Sequence, residues 1–213
     1  MSLKGKKILI TAGPTWVAID SVRVVSNIAT GETGILLAKE AQGQGARVTL
    51  VMGPADICCL DKTIKVLRFK FFDELKDILL KEMRFNKYDA VIHSAAVADY
   101  RPQKKFKGKL DSRQKNVNLK MVATPKLLDL FKKIDRSLFL AAFKFEPQAK
   151  TTQLILKAKK LFNQSEADLI VANTFDKGNY RAYIVTRQGI SGALLSKRKM
   201  AQKLMNKIGE ADA

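Results

Sequence analysis

Short apolar runs alternate along the chain with segments in which apolar residues recur every three or four positions. The runs have the length of buried strands and end in glycine, proline or small residues, whereas the periodic segments are typical of amphipathic helices. This alternation predicts a mostly parallel sheet covered by helices on both faces. The predicted strands are ILIT (8–11), RVTLVM (47–52), TIKVLRF (63–69), DAVIHSAA (89–96), LFLAAF (138–143) and ADLIVAN (167–173), followed by a terminal hairpin of AYIVT (182–186) and ISGALLS (190–196) around Gly189.

Five segments are predicted to be helices, and three of them have a recognisable start. Asp73 is predicted to cap the second helix and Ser196 the fifth, because both side chains can accept a hydrogen bond from the first turn. Thr124 and Pro125 indicate a cap followed by proline at the first position of the third helix. The predicted helices span 33–42, 73–83, 125–133, 151–162 and 196–208.

The alternation breaks between residues 103 and 121, where the sequence is polar and rich in lysine. Within this segment Val117, Leu119 and Met121 alternate with polar residues and share one face, which predicts a β-hairpin or arm that leaves the main sheet. No internal repeat and no low-complexity linker divides the chain. We therefore expect a single α/β domain over residues 1–213, with an arm at about 103–121.

Composition is that of a globular protein. Of 213 residues 46% are apolar, and no apolar run is long enough to cross a membrane. The first residues contain no signal region, so we expect a cytoplasmic location. The only cysteines, Cys58 and Cys59, are adjacent; such neighbours rarely bridge each other, and we interpret them as reduced residues with a packing role.

The formal net charge of +19 suggests anionic partners. Charge alone does not separate a nucleic-acid binder from an enzyme that acts on phosphorylated substrates, and solvated helix faces account for most of the lysines. No helix-turn-helix signal or RNA-recognition motif accompanies the charge, so nucleic acid is not the expected partner.

A loop, DSVRVVSNIATGETG (20–34), separates the first strand from the first helix. Its TGETG end offers free amides and a helix dipole to an anion, although a simple helix start explains it equally well. Arg23 can fork onto a phosphate or carboxylate, and the neutral amide of Asn27 can orient an acyl-transfer intermediate. The alternative is that Arg23 pairs with Asp20 and Asn27 closes a turn.

The stretch SAAVADYRP (94–102) ends the fourth strand with small residues, which let a ligand approach the backbone, and Asp99 can accept a hydrogen bond from a ribose or a base. His93, the only histidine, lies inside the strand, which favours a core or supporting role over catalysis. The sequence shows no Ser-His-Asp set and no metal-ligand cluster. Ligands of parallel sheets bind outside the carboxyl ends of the strands, so we expect the loop, GPT (13–15) and this stretch to form one crevice.

With these motifs in order, the sequence resembles the phosphopantothenate–cysteine ligase family. The resemblance implies a Rossmann-like, three-layer domain that forms a homodimer partly through the arm. The matching segments follow the family's order from about Ile8 to Asn173 and are ILITAGPT, IDSVRVVSN, TGETG, VTLVMGP, VIHSAAVADYRP, GKL, MVATPKLLDL, FKFE and ADLIVAN.

The resemblance also implies a reaction: 4′-phosphopantothenate is joined to cysteine while CTP is cleaved to CMP and pyrophosphate, through an acyl-cytidylate intermediate. Bacterial members use CTP and eukaryotic members use ATP, and the motifs here favour CTP with Mg²⁺. A phosphopantothenoylcysteine decarboxylase, as a fused domain or a separate protein, is an implied partner.

By motif, the resemblance implies that Asn27, Arg23 and Lys109 are catalytic, with Asn27 processing the acyl-cytidylate and Lys109 near the triphosphate. It identifies no metal ligands. The implied nucleotide-binding residues are Ser94, Ala95, Ala96, Asp99, Lys109, Pro125, Lys126, Leu127, Leu128, Phe143 and Lys160, and the implied phosphate- or substrate-binding residues are Gly13, Thr15, Thr30 and Gly31.

Several positions depart from the family's pattern, and most of them lose positive charge. This loss leaves a second hypothesis open, a non-catalytic nucleotide-binding module on the same fold. A nucleic-acid binder and a nicotinamide reductase rank below it, since the reductase's glycine-rich turn is absent after the first strand. The departures are Glu32, Asp111 and Ser112 in place of lysines, a missing lysine near Ser165, and Ala142 in place of glycine.

Overall fold

The computed structural model describes residues 2–55 and 60–211, and these residues form twelve strands and five helices. Cys58 and Cys59 lie outside the described residues, so the interpretation of the cysteines stays a prediction. The strands are β1 Lys7–Ala12, β2 Trp16–Ala18, β3 Val24–Ser26, β4 Arg47–Met52, β5 Lys65–Arg68, β6 Ala90–His93, β7 Tyr100–Pro102, β8 Met121–Ala123, β9 Phe139–Phe145, β10 Leu169–Asp176, β11 Asn179–Thr186 and β12 Gly189–Leu194. The helices are α1 Glu32–Gly43, α2 Phe72–Phe85, α3 Leu128–Ile134, α4 Thr151–Gln164 and α5 Lys197–Glu210.

Eight strands form the central sheet in the order β12-β11-β10-β9-β6-β1-β4-β5. The strands from β10 to β5 in this order are parallel, and β11 and β12 extend the sheet as an antiparallel edge. The predicted α/β class with a mostly parallel sheet is confirmed. The chain leaves β1 for β4 on one side and later returns to β6 on the other, so the order reverses between β1 and β6. A crevice is expected at the carboxyl ends of these two strands.

Alternate residues of β1 enter two separate apolar cores, because successive side chains of a strand point to opposite faces. Ile8 and Ile10 pack with α1 and α5 on one face, while Leu9 packs with α2, α3 and α4 on the other. The result is three layers, helix–sheet–helix. Both cores are fully excluded from solvent at their centres, and this rigid scaffold positions the loops at the strand ends.

Two predicted helix starts are wrong and one is confirmed. Ser196 caps α5, since its hydroxyl accepts a hydrogen bond from the Lys199 amide. Asp73 lies in the first turn of α2 rather than at its cap, and the Glu74 carboxylate instead accepts from the Phe71 amide. Helix α3 begins only at Leu128. The hydroxyl of Thr124 does not cap it, because that hydroxyl donates to the Ala98 carbonyl, 2.6 Å away.

Strands β7 and β8 pair antiparallel and form the foot of the segment expected to be an arm. Beyond the foot the described residues 103–120 belong to no strand and are almost entirely exposed. Of the three alternating residues, only Met121 lies in a strand, so the expected extended face is shorter than predicted. The segment is fixed to the preceding loop by two backbone bonds, from Ser21 to the Gly108 carbonyl and from Phe106 to the Ile19 carbonyl.

Candidate active site

The ends of β1 and β6 are joined by backbone hydrogen bonds above the sheet. The Ala96 amide donates to the Gly13 carbonyl at 2.9 Å, and the Thr15 amide donates to the Ala96 carbonyl at 3.3 Å. The buried hydroxyl of Thr15 accepts from the Ala98 amide at 2.9 Å. The GPT turn and the SAAVADYRP stretch therefore form one continuous rim at the topological switch point, as expected from the sequence.

Asn27 reaches this rim from the long loop. Its side-chain amide donates to the Ala96 carbonyl at 3.1 Å, and β2 and β3 form the short hairpin that carries it there. This bond uses one N–H of the amide, so a second N–H and the carbonyl oxygen of the exposed side chain can meet a ligand. The structure thus places Asn27 at the crevice.

Arg23 is placed differently, in the ion pair that was the alternative interpretation. Its guanidinium donates to the Asp20 carboxylate and to the Leu110 carbonyl of the arm, and the side chain remains 41% exposed. The Asp20 side chain is inaccessible to solvent. The N–H of Leu110 and then those of Val22 and Arg23 hold the pKa of Asp20 well below its usual range, against the opposing effect of burial. Arg23 and Asp20 together clamp the loop to the arm.

A cavity of about 480 Å³ opens beside the rim, at the start of α1. Gly31 precedes α1 with a φ of 73°, and a Cβ there would lie 2.3 Å from the Met52 methyl group, so the helix starts directly on the end of β4. The cavity brings together six residues of the implied site, namely Gly13, Thr30, Gly31, Ser94, Ala96 and Phe143. Two other cavities, of about 480 and 640 Å³, lie at the opposite, amino-terminal edge of the sheet, where ligands of parallel sheets do not usually bind.

The cavity is also lined by residues that the sequence analysis missed, among them Asn173, Tyr180 and Lys197. The Asn173 side-chain oxygen and the Tyr180 hydroxyl are buried without a hydrogen-bond partner among the described residues. Burial also raises the pKa of Tyr180. Unpaired polar atoms are costly in a protein interior, and these two belong to residues that line the cavity. A polar residue closing the apolar run ADLIVAN was the available signal for Asn173; the sequence offered none for Tyr180.

The remaining residues of the implied nucleotide and substrate sites lie outside this cavity. Asp99 and Lys126 form an exposed ion pair, and the Thr124 amide donates to the Asp99 carbonyl at 2.9 Å. Leu127 is buried in the core beneath α3. The others are placed as follows: Thr15 and Ala95 in the rim, Pro125 before α3, Leu128 at its start, and the exposed Lys109 on the arm and Lys160 on α4.

His93 lies at the end of β6 with a structural role. Its Nδ1 is 2.9 Å from the Thr11 hydroxyl and its ring lies 5.5 Å from that of Phe131. Burial lowers the pKa of His93 to about 4. A neutral imidazole held between the sheet and α3 agrees with the expected core role.

No group of three or more His, Cys, Asp or Glu side chains is arranged to hold a metal ion within residues 2–55 and 60–211. Mg²⁺ is usually held by one or two carboxylates together with substrate phosphates. A metal ion bound at this crevice would therefore depend mainly on oxygens of its substrate.

The sequence model of the family described as DNA/pantothenate metabolism flavoprotein C-terminal domain matches residues 3–211. The chain belongs to this family. The membership expected from the motifs is confirmed, and the match covers the sheet, both helical layers and every residue of the cavity.

Similar proteins and structures support the assignment to this family. A coenzyme A biosynthesis bifunctional protein CoaBC of Thermococcus kodakarensis is 33% identical over 97% of this chain, which covers 52% of that protein. The chain spans about half the length of the curated relatives it matches. The DNA/pantothenate metabolism flavoprotein of Streptococcus pneumoniae superposes with a TM-score of 0.87 at 25% identity, over 97% of this chain and 99% of that one. The C-terminal domain of a CoaBC protein superposes with a TM-score of 0.79 at 27% identity, over 97% and 95%.

None of the helices within residues 2–55 and 60–211 has the length and apolar character needed to cross a membrane.

Proposed function

We propose that the chain is a phosphopantothenate–cysteine ligase that joins 4′-phosphopantothenate to cysteine. CTP is cleaved to CMP and pyrophosphate through an acyl-cytidylate. Family membership supports this proposal, and so do relatives named as coenzyme A biosynthesis proteins. The observation that carries it is the hydrogen bond of Asn27 to Ala96, which lines a cavity together with five other residues of the implied site.

The chemistry needs positive charge, because a carboxylate must approach a triphosphate. The start of α1 supplies free N–H groups and the positive end of its dipole beside Thr30 and Gly31, which line the cavity. Lys109 lies on the exposed arm and can close over the phosphates when the arm bends toward the crevice. Mg²⁺ bound to the phosphates would add further positive charge there.

Asn27 is proposed to orient the acyl group for attack by the cysteine amine. Its bond to Ala96 fixes the plane of the side-chain amide at the rim. A fixed neutral amide can donate to a developing oxyanion without reorganising, and it introduces no charge that would repel a phosphate. The same arrangement keeps the reacting centre against the rim, where closure of the arm would exclude water.

Homodimerisation is proposed from the apolar surface around the loop. Val22, Val24, Val25 and Ile28 are 65%, 40%, 47% and 106% exposed. Val117 of the arm is also 44% exposed. Exposed apolar residues concentrated on one loop are typical of an interface, and a second copy of the chain is the proposed partner. Light scattering after size-exclusion chromatography should give twice the mass of the chain; a monomer would contradict this part of the proposal.

Two further partners follow from the family. The chain covers about half of relatives named as bifunctional proteins, so we propose a phosphopantothenoylcysteine decarboxylase, fused or separate, as the partner that consumes the product. We propose CTP rather than ATP as the nucleotide. Release of pyrophosphate should therefore be faster with CTP at equal concentrations.

The test is incubation of the dimer with nucleotide, Mg²⁺, phosphopantothenate and cysteine, followed by mass spectrometry. The ligase proposal predicts phosphopantothenoylcysteine and CMP in equal amounts, with neither formed when phosphopantothenate is omitted. Because Glu32 lines the cavity, a non-catalytic nucleotide-binding module is the second candidate. It predicts binding of CTP without any product.

A further inference from the structure

A single ion pair links the starts of two helices across the cavity. The Lys197 ammonium, at the first residue of α5, contacts the Glu32 carboxylate, at the first residue of α1, although the two residues are 165 positions apart. Both side chains line the cavity of about 480 Å³. They also line an adjoining cavity of about 810 Å³ on the side of β11 and α5. The pair therefore stands on the border between the two spaces.

Among the described residues that line the first cavity, Lys197 is the only cation and Glu32 the only anion. The lysines expected to meet the nucleotide, Lys109, Lys126 and Lys160, lie outside it. A polyanion that occupies the cavity would thus meet one ammonium there and one carboxylate that repels it. Which of the two charges faces the ligand decides whether the cavity attracts a phosphate.

The geometry favours exchange of Glu32 for a ligand. Glu32 is 65% exposed and Lys197 is 30% exposed, so the carboxylate can turn into solvent more easily than the ammonium. An exposed ion pair contributes only about 0–1 kcal/mol, so breaking the pair of Glu32 and Lys197 when a ligand binds costs little. A phosphate between the two helix starts would keep a partner for Lys197 and gain the N–H groups of α1.

We propose that Lys197 is a phosphate-binding residue of the nucleotide cavity and that Glu32 is the internal anion it exchanges for the phosphates of the nucleotide. This inference rests on the proposed function only in taking a nucleotide triphosphate as the ligand. Glu32 holds the ammonium over the cavity before binding and leaves it on binding. Affinity for the nucleotide is then set by competition between a carboxylate of the chain and the phosphates.

The test is calorimetric titration of the dimer with CTP and, separately, with inorganic tripolyphosphate. Four proteins form a cycle: wild type, Lys197→Gln, Glu32→Gln and the double variant. Loss of one charge-assisted contact should weaken CTP binding by about tenfold in Lys197→Gln. Glu32→Gln should strengthen it by about threefold. The gain from Glu32→Gln should shrink in the double variant, because the two side chains act on each other.

Lys199→Gln is the matched control, since Lys199 is an exposed lysine on the same helix that does not line the cavity. This variant loses the same net charge as Lys197→Gln, and its Kd for CTP should stay within about twofold of wild type. The comparison separates a local contact with the phosphates from the effect of the overall positive charge of the protein. Melting temperatures confirm that all variants are folded. Equal affinities of Lys197→Gln and wild type, weaker binding by Glu32→Gln, or no binding of either probe by any protein would overturn the inference.

Binding and catalysis are read out separately, so the two proposals can fail independently. If wild type forms no phosphopantothenoylcysteine but Lys197→Gln loses affinity for CTP, the ligase proposal fails and the role of Lys197 stands. If wild type forms product while the affinities of all variants are unchanged, the ligase proposal stands and the role of Lys197 is rejected.

Discussion

Replacing Asn27 with aspartate exchanges the side-chain NH₂ group for an oxygen and tests the proposed role of Asn27 most sharply. The Asn27 amide donates to the Ala96 carbonyl at 3.1 Å, and a carboxylate in the same place has no N–H to donate. Two oxygens would then face each other, and the side chain would turn away from the crevice. The new negative charge would also stand beside the expected phosphates.

The magnitudes of the two consequences differ. The side chain is exposed, so losing its hydrogen bond should cost about 1 kcal/mol of stability at most, or a few degrees in melting temperature. Removing one preorganised donor from an acyl-transfer site costs about 100- to 1,000-fold in rate, or roughly 3–4 kcal/mol. Catalysis should therefore fall far more than stability.

Rapid-quench mass spectrometry measures the relevant species. Asn27→Asp should form the acyl-cytidylate and release pyrophosphate, but convert the intermediate slowly, so that it accumulates. Ser26→Ala is a suitable control. Ser26 is the preceding residue, and its hydroxyl lies 3.2 Å from the Asn27 backbone carbonyl and 3.4 Å from the Thr15 carbonyl, both long for a hydroxyl hydrogen bond. The Ser26→Ala variant should form product at a rate within about threefold of wild type. Unchanged turnover in Asn27→Asp would refute the role assigned to Asn27.

Three further predictions concern the arm, the loop and the core. Lys109→Gln should raise the KM for CTP by about tenfold with little change in the KM for cysteine, because the lysine is proposed to meet only the triphosphate; an unaltered KM for CTP would reject this assignment. Asp20→Asn should speed hydrogen exchange at the Leu110 amide, which donates to the Asp20 carboxylate at 3.0 Å, and unchanged exchange would mean that other contacts hold the arm. Burial depresses the pKa of His93 to about 4, below its ordinary value of 6.5. The neutral ring therefore contributes its full stabilisation of the folded state above pH 6.5, and this stabilisation is lost as the pH falls from 6.5 toward 4. Denaturant unfolding at each pH should show a fall of up to about 3 kcal/mol over this range that His93→Gln abolishes, and an equal slope in both proteins would contradict it.

The sheet could be predicted from sequence because its strands are buried on both faces. Runs such as LFLAAF would expose apolar side chains to water unless helices covered both faces of the sheet, and their alternation with periodic helices predicts parallel pairing. The terminal hairpin was predicted to begin at Ala182, whereas β11 begins at Asn179 and also pairs antiparallel with β10. The turn between β10 and β11 at Lys177 and Gly178 has positive φ at both residues, and neither β-branching nor alternation predicts it.

The site was predictable only where its residues are close in sequence. The motif containing Asn27 and the small residues after β6 lie next to recognisable strands, so the crevice could be anticipated. The contact between Glu32 and Lys197 depends on how α1 and α5 pack against one face of the sheet, and sequence spacing carries no information on that. The partner of Arg23 was left open for a related reason. An arginine near an aspartate and an expected anion has two suitable partners, and the fold of the arm decides between them.

Tracing the carboxylate oxygens of phosphopantothenate by isotope labelling tests the proposed ligase reaction most directly. When the carboxylate attacks the α-phosphate and the cysteine amine then displaces the nucleotide, one carboxylate oxygen must leave with CMP. Phosphopantothenate labelled with ¹⁸O in its carboxylate should therefore give CMP that carries one labelled oxygen, in an amount equal to the phosphopantothenoylcysteine formed. Unlabelled CMP, or labelled substrate that is recovered intact from folded protein after prolonged incubation with CTP and cysteine, would contradict the account.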